Sequence, residues 1–383
     1  MTKLEKALSD KGTLIIEAIN SNRLVRWFNP DTINNDDYIV EPLFVDLYKH
    51  KNSSDNVTEI DRKQIRDLLL SANFGSVDIH AGFSDGNQLK ALFSEDYLTA
   101  AVNAGNHFHQ LGVIKSPQIN EFLLFNKFIK EKQNLVDYAS HFVVLAGPNT
   151  AVVREVYDNA FVHFPDSNHK PEHQAIVSRK RSAPHVERQA MYPQLFKQSM
   201  PTAAALKPQA FNKGQLLVVD WINAVFRRDH RRFENLVQEY SDWLNSSDCS
   251  SSLDQGLFNI SASNIVVSER GGVRHYQLIG SQRSLEEDHS TEITADFILF
   301  RTLYWFAKQN ATLLQSYAVD NDIQSLGLFI IEHMDTVSDI DGLNEFARLE
   351  NNIQAKLIST ASPVTIEQQL LTPLYQSLSL IHI

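Results

Sequence analysis

Glycine is scarce in this sequence: 14 of 383 residues, about half of the roughly 7% usual in globular chains. No G-x-G-x-x-G and no G-x-x-x-x-G-K-[ST] run occurs, so the loops that carry a backbone up to a dinucleotide or nucleoside triphosphate are excluded. Cysteine is nearly absent. Cys249 stands alone, which rules out an internal disulfide and a cysteine-rich zinc site and points to a reducing compartment. Long apolar runs are missing too. The most apolar stretches, Leu216–Phe226 and Phe297–Ala307, hold Asp220 and Arg301 and are too short to span a bilayer. Met1 to Gly12 carries Lys3, Glu5, Lys6, Asp10 and Lys11, leaving no apolar core for a signal peptide. These absences predict a cytoplasmic chain without a transmembrane segment. Positive charge is in deficit, with 35 Lys+Arg against 46 Asp+Glu and a net charge of −11, so general binding to nucleic acid is disfavoured.

What is present is ordinary for a globular protein: 43% hydrophobic and 21% charged residues. The length exceeds what one compact core usually holds, so two domains are expected. Thr13–Ile19 is an uninterrupted apolar strand, which suits a sheet covered on both faces. Thr58-Glu59-Ile60-Asp61 supplies an N-cap for a helix whose apolar face runs through Ile65, Leu68, Leu69 and Ala72. Asn73–Ser76 ends that helix, and Val77–Phe83 alternates as a strand. A helix over Glu121–Lys132 and a strand over His141–Ala146 follow, with a stop at Gly147-Pro148. Beyond it, short strands are expected at Ala160–Phe164, Gln174–Arg179 and His185–Met191. One helical stretch is expected from Gln215 to Leu244, with Trp221 and Trp243 as core residues. Ser246–Asp254 reads as a loop, Asn264–Ser268 and Val273–Ile279 as a hairpin about Arg270-Gly271-Gly272, and 295–356 as helices.

Three segments, in order, resemble the rear part of the bacterial class I S-adenosylmethionine-dependent methyltransferases of surface-polysaccharide (lipopolysaccharide or capsule) clusters, which are often fused to glycosyltransferases. The first is Lys11-Gly12-Thr13-Leu14-Ile15-Ile16-Glu17-Ala18-Ile19, running on to Asn22-Arg23-Leu24 and Trp27. The second is Ile65–Phe74, leading into Phe83-Ser84-Asp85 and Leu92-Phe93-Ser94-Glu95. The third is Phe142-Val143-Val144-Leu145-Ala146. The resemblance implies an α/β fold: the back half of a Rossmann-like methyltransferase sheet over 1–148, followed by an α+β accessory domain over 149–360 and a tail over 361–383. Leu378–Ile383 reads as the in-frame translation of a sequencing-library adapter and is set aside from the fold. In the family the cofactor loop follows the first strand, and this chain begins near the fifth. S-adenosylmethionine is therefore expected in the full-length parent and not on this chain alone, which is expected to be an inactive fragment. Gly86-Asn87-Gln88 replaces the family's Tyr-Lys pattern, so no substrate-side lysine carries over.

The second half is similar to the family's decayed kinase-like core. Asn259 stands at the position of the catalytic base, Asn264 at the amide position that holds magnesium, and Gly280 at the second metal position. An amide cannot accept the proton and glycine cannot hold the cation, so phosphoryl transfer is not expected. The alternative to the methyltransferase reading is a non-catalytic binding or scaffold module built round this pseudokinase-like half. Phe300-Arg301-Thr302-Leu303 resembles the family's LFR-x-L helix.

Candidate site residues are few. Asp85, just past a strand, could orient a substrate hydroxyl or simply form a turn. Arg227, Arg228, Arg231 and Arg232, if helical, make one basic stripe beside His230. That stripe is either a grip for a sugar nucleotide or anionic glycan or a solvated face offset by Asp229 and Glu234. Arg179-Lys180-Arg181 with Arg188 is a second basic cluster open to the same two readings. His107 and His109 lack the carboxylate pattern of a metal pair, so no metal is expected.

Overall fold

The computed structural model describes residues 12–20, 60–85, 88–98, 128, 134–165, 170–171, 174–195, 209–211, 214–246, 260–271, 273–278, 293–357 and 364–374. The chain divides into two compact units, Met1–Phe164 with Ile176–Val186 and Pro165–Ala175 with Glu187–Ile383. Residues 149–164, expected in the second domain, thus lie in the first unit.

The first unit is a mixed α/β body built on a large antiparallel sheet. Its strands are β1 (Leu14–Ile19), β2 (Ser76–Asp85), β3 (Gln88–Ser94), β4 (His141–Gly147), β5 (Asn159–His163) and β6 (Ala175–Lys180), in the order β1-β4-β2-β3-β5-β6. β7 (His185–Ala190) follows β6 across the turn at 181–184. Neighbouring strands from β1 to β6 all pair antiparallel. One feature of a wound sheet survives. β1 and β2 both run antiparallel to β4 and so are parallel to each other, and α1 (Arg62–Ser71) lies in the connection between them.

Local chemistry sets these elements. Asp61 caps α1 through the amide of Gln64, whose side chain caps Asp61 in return. The helix buries Ile65 and Leu69 and ends at Asn73, whose φ of 69° is tolerated by asparagine. Central strands β2 and β4 bury Ile79, Ala81, Phe83, Phe142 and Val144. β1, expected to be covered on both faces, instead lies at the sheet edge: none of its residues is buried, and Ile15 is 59% exposed. β3, α2 (Glu95–Leu98) and α3 (Thr150–Val156) are additional elements absent from the sequence-based expectation. The helix expected at Glu121–Lys132 lies outside the fully described residues.

In the second unit, β8 (Gln209–Ala210) and β9 (Gln215–Leu216) are two-residue strands, and β9 pairs with β10 (Ile265–Arg270) of the hairpin β10–β11 (Val273–Leu278). The remainder is helical: α4 (Leu217–Phe226), α5 (His230–Leu244), α6 (Ala295–Gln309), α7 (Ala311–Asp320), α8 (Leu326–Glu332), α9 (Ile340–Leu357) and α10 (Ile366–Leu370). The single helix expected over 215–244 is two helices, broken at 227–229. Trp221 sits in the core as expected, fully buried with its ring edge-on to Phe233, Tyr240 and Phe306. Burying an aromatic of this size contributes about 1.5–3 kcal/mol. α6 and α9 are stapled by a buried charge. Glu350 is wholly inaccessible and accepts from Trp305 Nε1 and Gln354 Nε2, with Arg301 Nε 2.9 Å away. Among the described residues no helix is long and apolar enough to cross a membrane.

Candidate functional site

In sheets with parallel crossovers, ligands sit outside the carboxyl ends of the strands, which here means the edge where β1 and β2 end and β4 begins. Asn20 follows β1 and is fully buried; its Nδ2 donates to the carbonyls of Asp137 and Ala139, both at 2.8 Å, and its backbone N–H to Ser140. The Ser140 hydroxyl accepts from the amide of Ser84 at 3.2 Å. Arg62, in the first turn of α1, holds Asp137 at 2.7 Å and also Glu95, which Arg66 shares. Burial raises the pKa of Asp137 against the opposing pull of Arg62. Asp85 is the last residue of β2, opposite Gln88 of β3. The register therefore places this predicted substrate contact at the same edge, in a hairpin.

The densest cluster of ionisable groups lies elsewhere in the first unit. Arg181 forks onto both oxygens of Asp78 at 2.8 Å and reaches Asp96 at 3.3 Å and Asp158 at 3.5 Å. His80 Nε2 lies 3.2 Å from Asp78, and Tyr157 packs edge-on to the imidazole. Burial alone would raise Asp78, but the His80 hydrogen bond and the Arg181 charge outweigh it and hold the carboxyl below its ordinary range. Asp96 is lowered in the same way, burial being overcome by Ser94 and Arg181. A histidine oriented by a carboxylate is the geometry of a general base. Here the ring is 1% exposed, so a substrate has no way to reach it. The cluster ties β2, α2 and the approach to β5 together. Arg181, read from the sequence as part of an open basic cluster, is spent internally, and Arg179 Nε donates to the Ala183 carbonyl.

In the second unit, the four arginines do not form one helical stripe. Arg227 closes α4, Arg228 has a φ of 56°, Asp229 caps α5, and Arg231 and Arg232 lie in its first turn. Arg228 contacts Ser316 at 3.5 Å and Asp320 at 3.9 Å, while Arg232 lies 3.8 Å from Glu239. Among the described residues, Arg227 and Arg231 pair with no carboxylate. Asn264 ends a 3-10 turn, Ala262–Asn264, leading into β10, and its amide donates to Ser261. Asn259, Gly280, His107 and His109 lie outside the described residues. Beside the hairpin, Arg274 pairs with Asp220 and Glu239, and the Tyr276 hydroxyl donates to Glu239; burial first, then these carboxylates, push Tyr276 up to about 12 against the pull of Arg274.

One small hollow of about 80 Å³ is lined by Glu234, Gln238, Glu332, His333 and Asp335. His333 Nδ1 donates to the Phe329 carbonyl at 2.7 Å, so its Nε2 accepts from the Tyr317 hydroxyl at 3.0 Å. Burial lowers its pKa despite the Phe329 bond and the nearby Glu234. Both ring nitrogens are satisfied, and no group of three or more His, Cys, Asp or Glu side chains among the described residues is arranged to hold a metal. No family model, curated protein or solved structure matches the chain.

Sequence reasoning missed the Arg181 cluster, although Asp78 and His80, two apart on an otherwise apolar strand, share one face of β2. That spacing was the local signal available. The three carboxylates meet only through tertiary structure.

Proposed function

We propose that the chain is the rear part of a methyltransferase acting on a surface polysaccharide or its precursor, with the second unit a non-catalytic binding module. The observation that supports this is the convergence of the three segments that carry the resemblance. Separated widely in sequence, the first and third become the adjacent strands β1 and β4, and the second supplies α1 and the end of β2, a strand that pairs with β4 on its other side and runs parallel to β1. In the second unit, Asn264 opens the β10–β11 hairpin, the place the resemblance gives to a decayed catalytic loop. With an amide at 259 and glycine at 280, that loop has neither a base nor a second metal ligand for phosphoryl transfer.

The residues at the carboxyl ends of β1 and β2 do not fit S-adenosylmethionine. Asn20 and Ser140 bond to the backbone there, and among the described residues no glycine-rich turn brings main-chain amides to that edge. On this reading the cradle for the cofactor is not formed by the described ends of β1 and β2. Two measurements test the reading. Calorimetry on the 383-residue chain should give no saturable heat with S-adenosylmethionine; a micromolar Kd, about −8 kcal/mol, would overturn the placement of the cradle. The full-length parent should transfer label from S-adenosylmethionine to a cluster glycan or its lipid-linked precursor, and failure to label any such acceptor would sink the methyltransferase reading.

A further inference from the structure

The turn between α4 and α5 contains an arginine where glycine is the natural choice. The Asp229 amide donates to Ala224 and the Arg228 amide to Val225, both at 3.0 Å, which is the six-to-one and five-to-two pattern of a Schellman motif. Its left-handed residue is usually glycine because a side chain there crowds the backbone. Arg228 fills it at φ 56° with a side chain 63% exposed, and its ion pair with Asp320 is long, at 3.9 Å. An exposed ion pair of that length contributes little, and a non-glycine residue kept in this conformation points to a use for its side chain. Phe226, the residue that ends α4, is 54% exposed, although α4 is otherwise the most buried helix of its length in the unit. Arg228 crosses the face of α7 that carries Ser316 and Asp320, and Val319, three residues after Ser316 on that face, is 58% exposed. Arg227 and Arg231 flank the turn without a carboxylate among the described residues. The nearby acids are engaged: Asp229 caps α5, and Asp320 faces both Arg228 and His230.

We propose that Phe226, Arg227, Arg228 and Arg231 form a docking patch for an anionic glycan, the guanidinium groups meeting its phosphate or carboxylate groups and the Phe226 ring lying against a sugar's C–H face. This rests on the reading of the second unit as a binding module. Guanidinium forks match such anions in geometry as well as charge. In a chain of net charge −11, the patch gives an anion a local place to approach. Arg232, engaged by Glu239, is left out.

The test uses the whole chain with phosphorylated maltohexaose, unmodified maltohexaose and inorganic phosphate as probes, and no S-adenosylmethionine, so its result is independent of methyl transfer. Wild type should bind the phosphorylated sugar saturably, about tenfold more weakly at 300 than at 50 mM salt. Arg227→Gln with Arg231→Gln should abolish most of that binding. Arg228→Gly separates function from folding: it should raise the melting temperature by about 2–4 °C while weakening binding at least about threefold. Phe226→Ser should weaken the phosphorylated sugar and leave inorganic phosphate unchanged. The proposal falls if unmodified maltohexaose binds equally well, if wild type shows no saturable binding, or if Arg228→Gly binds as wild type does.

Discussion

Arg181 faces three carboxylates with one guanidinium, and its side chain is only 10% exposed. Removing it leaves Asp78 partly buried near Asp96 with His80 as its remaining partner. Breaking a buried pair from one side is expensive, so Arg181→Met should lower the stability of the first unit by about 3 kcal/mol, read as a drop in the urea midpoint at constant slope. Asp96, 58% exposed, contributes little to that loss. The pH sign is the same for the carboxylate and the buried histidines, and only the pH window differs. Asp78 has a lowered pKa, so its share of stability is present above the unfolded value of 3.8 and is lost as pH falls through the folded value. His163 packs edge-on against Phe93 and Phe161, and burial pushes its pKa down to about 4 from 6.5. The unfolded chain then binds more protons between these values, so stability is full above pH 6.5 and declines towards pH 4 by up to about 3 kcal/mol. His333, also lowered by burial, acts in the same direction. Denaturation midpoints of wild type and His163→Gln across pH 7.5 to 4.5 check this. Equal slopes would show that His163 protonates freely in the folded state.

At the scale of elements, close approach decides what the strands can carry. A Cβ on Gly75 would stand 2.1 Å from the Pro148 carbonyl oxygen, where the start of β2 meets the end of β4. Neither backbone segment can retreat without breaking the ladder. Gly75→Ala should therefore cost about 2 kcal/mol, as should Gly214→Ala, whose Cβ would meet Val266 and the Val267 carbonyl beside β9 and β10. Thermal melts of the two variants against wild type measure both losses, and a neutral result at Gly75 would mean the β2–β4 junction relaxes readily. The same elements show where sequence was legible. β2, β4 and the β10–β11 hairpin follow directly from apolar patterning and turn residues. The break at Arg228 carried no signal, because a left-handed cap without glycine looks like continuing helix. Asn149 caps α3, but it follows Gly147-Pro148, which reads as a stop. β3 is hidden because Leu92–Glu95 reads as a family motif rather than as a strand with its own alternation. β1 misled in the opposite sense: an all-apolar strand reads as central, yet tertiary order places it at an edge.

The whole molecule divides where local patterning gives no warning. Length predicts two bodies, and the stop at Gly147-Pro148 marks the expected seam. Contacts instead keep 149–164 and 176–186 with the first unit. The reason is strand order: β3, a hairpin partner of β2, finds its other neighbour in β5, pairing Ala91, Leu92 and Phe93 with His163, Val162 and Phe161. Phe93, Tyr97 and Phe161 are buried together at that junction, and Val153 of α3 is fully buried with its methyl 2.9 Å from the Cβ position of Gly147. A fragment ending at Pro148 would expose these side chains and leave β3 as an unpaired edge bearing Leu92 and Phe93, a template for aggregation. A fragment ending at Ala190 keeps β5, β6 and the Arg181 cluster. The expected outcome is that residues 1–190 unfold in urea as one cooperative transition with dispersed amide resonances, whereas 1–148 aggregates or shows no transition. Cooperative unfolding of 1–148 at a similar midpoint would place the seam at Pro148 after all and make β5 and β6 dispensable to the sheet.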